Sequence, residues 1–164
     1  MVLSGPLGSG KTLFAKGFAQ GLGVDPEAVT SPTFAICSEY DLADGRRIAH
    51  LDGYRLENAA ELESAGFLDL LVAGTIILFE WGERFRDALP ADRLEIEISR
   101  SDATPSQQRR LEAVASGRTA ARAVAGWEAR LAGEIGRQLD LEVSEAPDVS
   151  EVSEVSEVPE EKGR

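Results

Sequence analysis

The densest chemistry in the chain lies close to its start. Gly5-Pro6-Leu7-Gly8-Ser9-Gly10-Lys11-Thr12 has the spacing G-x-x-x-x-G-K-[ST], directly after an apolar stub and at the opening of a helical pattern. Glycines reach backbone conformations that other residues avoid, so successive N–H groups can turn inward and line a concave anion site at the positive end of a helix. Lys11 adds a mobile charge for β and γ phosphates, and the Thr12 hydroxyl is a hard oxygen ligand for Mg²⁺. These residues predict a site for a nucleoside triphosphate, ATP or its product ADP, held by Gly5, Gly8, Ser9, Gly10, Lys11 and Thr12.

Such a loop needs a second carboxylate on the magnesium side. Ile76-Ile77-Leu78-Phe79 reads as a buried strand, and Glu80 follows it at the carboxyl edge of a sheet, where ligands of α/β proteins gather. Glu80 is therefore expected to share the metal with Thr12, and Trp81 is expected either in the core or as a cover on the nucleotide. Asp52, in His-Leu-Asp-Gly-Tyr-Arg, is a rival carboxylate that can order a water or hold magnesium through its shell, and the residues leave both roles open. His50, a lone histidine, reads as structural rather than catalytic. Thr30-Ser31-Pro32-Thr33 is a hydroxyl-rich loop of the sort that can order over a γ phosphate.

The elements that must position these groups alternate between strand and helix. Val2-Leu3 is a strand stub, about three residues where five or six are usual. Thr12 to Leu22 is a helix, Phe34 to Tyr40 and Ile48 to Leu51 are short strands, Ala59 to Leu71 is a helix, and Leu94 to Ile98 alternates as a half-exposed strand. This order predicts an α/β sheet with helices packed on it over residues 1–118. Val124, Trp127, Leu131, Ile135 and Leu139 fall on one helical face, so residues 119–141 form an amphipathic helix, docked on the core or offered to a partner. Residues 142–164 hold eight acids against two bases, with Ser-Glu-Val repeated, and are expected to be a disordered acidic tail.

Composition narrows the function further. The chain has 164 residues, and its 17 basic against 29 acidic side chains leave a net charge of −12. This balance argues against a dominant surface that binds nucleic acid by neutralising phosphates, so any RNA is expected to be held chiefly by something else. One cysteine, Cys37, and one histidine exclude an internal disulfide and a Cys- or His-rich metal site. No apolar run approaches the roughly 20 residues of a membrane span, and no secretory signal is read, so no membrane association and a cytoplasmic location are expected.

Taken together, Gly5 to Thr12, Thr30-Ser-Pro-Thr-Phe34, His50-Leu-Asp-Gly-Tyr-Arg-Leu56, Glu61-Leu62 with Gly66, and Phe79-Glu-Trp-Gly-Glu83 resemble, in order and spacing, the TsaE (YjeE) family of bacterial ATPases. The likeness covers about residues 2 to 112. It implies a P-loop NTPase fold, three-layer α/β/α with a mixed sheet, and a slow ATPase serving the synthesis of N6-threonylcarbamoyladenosine beside the anticodon of tRNA. It also implies a TsaB–TsaD pair as protein partner, with tRNA met only through that pair. Residue by residue, the resemblance gives the triphosphate to Lys11 and its loop and Mg²⁺ to Thr12 and Glu80. Thr33 becomes a switch position, Asp52 the essential aspartate, Trp81 the tryptophan beside the glutamate, and Arg109 or Arg110 an arginine at the nucleotide. Relative to the family, the first strand is expected to be truncated, and the acidic end has no counterpart. Two rivals stand beside this reading: a small-molecule kinase with Arg84 and Arg86 as the candidate lid arginines, and a nucleotide-gated interaction module without significant turnover.

Overall fold

A computed structural model of the chain describes residues 1–100, 108–134 and 143–145. Its elements in chain order are β1 (Val2–Ser4), α1 (Lys11–Gly21), β2 (Cys37–Asp41), β3 (Arg47–Asp52), α2 (Ala59–Ser64), β4 (Thr75–Glu80), β5 (Arg93–Arg100), β6 (Arg109–Ser116), α3 (Arg118–Glu134) and β7 (Val143–Glu145). The strands make one sheet in the spatial order β2-β3-β4-β1-β5-β6-β7. Its centre is parallel, with β1 between β4 and β5 and β3 beyond β4, while β2 and β6 run antiparallel to their inner neighbours. The sheet is therefore mixed, as the resemblance implies.

Alternation along the strands divides the core in two. Leu3, Ile48, Leu78 and Ile96 face one side, where they pack with Ala15 and Ala19 of α1 and Ala120 and Val124 of α3. Ala49, Leu51, Ile77 and Phe79 face the other, against Leu62 of α2 and the 3-10 turns Phe67–Leu70 and Gly82–Ala88. Leu3, Ile48, Leu78 and Ile96 are wholly buried, and each contributes roughly 1.5–3 kcal/mol of apolar transfer. Helical segments on both faces of one sheet give the three-layer P-loop fold.

Although β1 has only three residues, it is the middle of the sheet, with Leu3 wholly buried and registered on Glu80 and Ile96. Other elements depart from the expected boundaries. The helix expected over Ala59 to Leu71 stops at Ser64, because Gly66 takes φ 87° and turns the chain into the 3-10 segment Phe67–Leu70. The strand expected from Phe34 begins at Cys37, because Ile36 sits at φ 67° and breaks the extended run. β6 was not expected at all.

α3 docks through the predicted face. Val124 is buried and Trp127 meets Phe14 edge-on at 6.0 Å. Ile135 and Leu139, and most of the acidic segment, lie outside the described residues. Within the segment expected as an acidic tail, Val143–Glu145 forms a strand parallel to β6. Asp92 caps α3 from outside the helix, accepting from the N–H groups of Thr119 (2.9 Å) and Ala120 (3.0 Å). Gly117 makes room for it: a Cβ there would lie 2.7 Å from the Asp92 carboxyl carbon, and its φ of 88° suits glycine.

Candidate functional site

The carboxyl ends of β1, β3 and β4 open onto one cleft of about 380 Å³. β1 leaves the sheet into the glycine-rich loop, and the loop runs into α1. Gly10 supplies no side-chain cap to α1, so among the described residues its first-turn N–H groups meet no side-chain acceptor and stay directed at whatever enters the loop. Gly5, Gly8 and Gly10 have φ of 127°, 73° and 113°. At Gly5 the need for glycine is also steric, because a Cβ would lie 2.2 Å from the Ile98 carbonyl oxygen.

Lys11 is 4% exposed and donates through Nζ to the carbonyls of Gly5 (2.7 Å) and Pro6 (3.1 Å). Its ammonium lies 3.8 Å from the centre of the Trp81 ring, which Tyr54 backs at 5.4 Å. Burial holds the Lys11 pKa below the ordinary lysine value, against the opposing pull of Glu80, Glu83 and Asp52. A phosphate in the cleft therefore meets a preplaced cation with carboxylates nearby.

Two carboxylates lie side by side, since Asp52 of β3 and Glu80 of β4 are register partners. Glu80 Oε1 accepts from the Thr12 hydroxyl at 2.8 Å and is 2.9 Å from His50 Nε2. Thr12 spends its only hydrogen on Glu80, leaving its oxygen lone pairs for a cation. Hydroxyl and carboxylate oxygens suit Mg²⁺, which keeps several waters and takes further oxygens from phosphates. The donor set thus fits magnesium, although no cluster of three or more acidic, His or Cys metal ligands occurs among the described residues.

Asp52 faces the hydroxyl-rich loop. Its Oδ2 accepts from Thr33 (2.6 Å) and Ser31 (3.0 Å), and its Oδ1 accepts from the Tyr54 N–H (2.8 Å). A carboxylate has about four acceptor sites, so this arrangement leaves capacity for a water hydrogen.

Of the residues expected from sequence, Gly8, Gly10, Lys11, Thr12, Thr33, Asp52, Glu80 and Trp81 line the cleft together. Gly5 and Ser9 do not line it. The Ser9 side chain is wholly buried, its Oγ without a hydrogen-bond partner among the described residues, while its backbone N–H donates to the Pro6 carbonyl at 3.1 Å. Arg109 donates through Nε to the Ser9 carbonyl at 2.9 Å, so it braces the loop from β6, outside the cleft lining. Arg110 pairs with Glu112 at 2.7 Å, and this separates the two arginines.

Arg84 donates to the Gly53 and Tyr54 carbonyls, and Arg86 pairs with Glu95. Neither lid arginine of the kinase reading lines the cleft. Ser31, from the hydroxyl-rich loop, and Tyr54 also line the cleft, and Glu83 lies close enough to Lys11 to raise its pKa. Burial raises the Glu83 pKa above the usual carboxylate value, and its Oε2 is buried with no hydrogen bond among the described residues. The hydroxyl loop itself pointed to Ser31; nothing in residue type distinguishes Glu83 from a solvated acid.

The family model of the threonylcarbamoyl adenosine biosynthesis protein TsaE matches residues 1–111. A tRNA threonylcarbamoyladenosine biosynthesis protein TsaE from Streptomyces coelicolor is 41% identical over 102 residues, covering 62% of this chain and 68% of that protein. Its namesake from Bacillus subtilis is 42% identical over 102 residues, covering 62% of this chain and 61% of that protein. The chain thus spans about two thirds or less of these relatives' length. The crystal structure of Bacillus subtilis YdiB superposes with a TM-score of 0.54 at 31% identity, over 79% of this chain and 76% of that one. The match runs from β1 through the cleft into β6, so every lining residue falls inside it, and the chain belongs to the TsaE family.

Proposed function

We propose that the cleft binds ATP with Mg²⁺ and hydrolyses it slowly, as an accessory step in forming N6-threonylcarbamoyladenosine on tRNA. The observation that carries this reading is the convergence of Lys11, the Thr12–Glu80 pair and the Ser31–Thr33–Asp52 cluster on one cleft. Lys11 and the loop N–H groups hold the β and γ phosphates, and Thr12 and Glu80 hold the metal side. Bound magnesium would neutralise charge on the transferring phosphate. Asp52 takes a hydrogen from the attacking water, with its carboxylate oriented by Ser31, Thr33 and the Tyr54 N–H. Trp81 lies against the Lys11 ammonium and covers it.

The partner in this reading is a TsaB–TsaD pair, which would carry out the transfer to tRNA in the cytoplasm. Among the described residues no helix is long and apolar enough to cross a membrane. A second reading, a nucleotide-gated binding module, is favoured by exposed apolar side chains, Leu7 in the cleft lining at 77% and Phe34, next in sequence to Thr33, at 85%. Magnesium-dependent ADP release by the chain, alone and with TsaB–TsaD, against a Lys11→Ala background, tests both. Stimulation by the pair is the expected result. Nucleotide-dependent binding of the pair without turnover supports the gated module, and turnover that survives Lys11→Ala overturns the site.

A further inference from the structure

His50 is wholly buried in β3, on the strand face it shares with Ile48, among apolar side chains that pack on α1. A buried imidazole must place two ring nitrogens. Nε2 is placed, 2.9 Å from Glu80 Oε1, while Nδ1 is buried with no hydrogen-bond partner among the described residues. An apolar side chain of similar size would fill the same space without leaving a polar atom unsatisfied, so packing alone does not account for histidine here. What the imidazole adds lies at Glu80. An ionised carboxylate only accepts, so the hydrogen of this contact belongs to His50 Nε2.

Oε1 then receives two donors, the His50 ring from within the sheet and the Thr12 hydroxyl from the first turn of α1. Two fixed donors on one oxygen set the rotation of the whole carboxyl group. Oε2, which takes no hydrogen bond among the described residues, is left for the cleft that Glu80 lines.

We propose that His50 is a positioning residue for Glu80: together with Thr12 it pins Oε1 and so presents Oε2 to the magnesium side of the cleft. This rests on the magnesium–ATP reading of the site. Partners that orient a metal-side carboxylate are worth about 10–100-fold in metal affinity or activity when lost.

The test compares His50→Leu, His50→Gln and His50→Asn in the full chain, reading the Mg²⁺ concentration that half-saturates binding of a fluorescent ATP analogue, with the thermal midpoint alongside. Gln carries an N–H donor at about the reach of Nε2, whereas the Asn amide ends near the position of Nδ1. His50→Leu is expected to raise the Mg²⁺ requirement about tenfold or more and to leave nucleotide binding in chelator unchanged. His50→Gln restores the wild-type requirement and His50→Asn does not. A wild-type Mg²⁺ response in His50→Leu overturns the proposal, as does His50→Gln performing no better than His50→Asn. If His50→Leu does not fold, the Gln and Asn pair still decides. Failure of the wild-type chain to bind ATP in a Mg²⁺-dependent way removes the underlying reading and this proposal with it; failure confined to the variants removes the proposal alone.

Discussion

The two ends of the sheet are built on different rules. At the carboxyl end, the chain leaves β1 through Gly5 at φ 127°, leaves β4 through Trp81 at φ 63°, and enters β2 through Ile36 at φ 67°. A side-chain-bearing residue in the left-handed region costs on the order of 1–3 kcal/mol, and more than usual strain is expected for a β-branched one. At the amino end, the starts of β1, β4 and β5 surround a hollow of about 210 Å³ lined by Leu70, Leu71, Val72 and Leu89, and Gly74 at φ 86° takes the positive-φ turn before β4. Among the described residues, left-handed side-chain-bearing residues, buried carboxylates and converging hydroxyls therefore occur together at the carboxyl edge. The difference teaches that the amino end is built to hold the sheet and the carboxyl end to hold something else.

The sharpest way to break this contrast is at Lys11. Lys11→Ala is expected to lower magnesium-dependent ATP turnover by about 10²–10³-fold or more, read as ADP release, because it removes a preplaced charge at the transferring phosphate. Asp52→Asn is expected to lower turnover by about 10²-fold while leaving equilibrium ATP binding within a few-fold, which separates a water-directed role from a binding one. At the opposite edge the expectation reverses. Asp92→Ala removes the cap on α3, so the thermal midpoint falls modestly while turnover is retained.

Acid should mimic that loss of the cap. The Thr119 and Ala120 N–H groups hold the Asp92 pKa below its ordinary value of 3.8. Its contribution is therefore complete above 3.8 and is lost as pH falls below that value through the lower folded one, which unfolding curves taken above and below pH 3.8 would show. The smallest effect belongs to Val72→Ser, a 57% exposed position beside the hollow, where neither turnover nor midpoint should move measurably.

Much of the site was legible because its chemistry is written locally. The loop from Gly5 to Thr12, the apolar run ending in Glu80, and Asp52 at the end of its strand each announce themselves within a few residues. What stayed hidden depended on distant register. β6 alternates through Leu111, Ala113 and Ala115, and small alanines give a weak periodic signal, although Ala113 and Ala115 are buried. Arg109 and Arg110 could not be told apart until β6 placed one on the Ser9 carbonyl and the other against Glu112. His50 looked like an ordinary core histidine because its partner, Glu80, is 30 residues away and comes alongside only when β3 and β4 pair. Gly66 and Ile36 marked their breaks through backbone angles that residue type alone does not dictate, least of all for isoleucine.

The bracing of the phosphate loop carries a consequence for how sequence change is felt. Gly5 abuts the Ile98 carbonyl of β5, and Arg109 of β6 grips the Ser9 carbonyl, so the β5–β6 hairpin acts as the mould in which the loop is cast. If the cleft binds a nucleotide as proposed, substitutions that skew these two strands are expected to change its affinity through the loop they brace. The residues that decide how the loop is held therefore include Ile98 and Arg109, which lie outside the cleft lining.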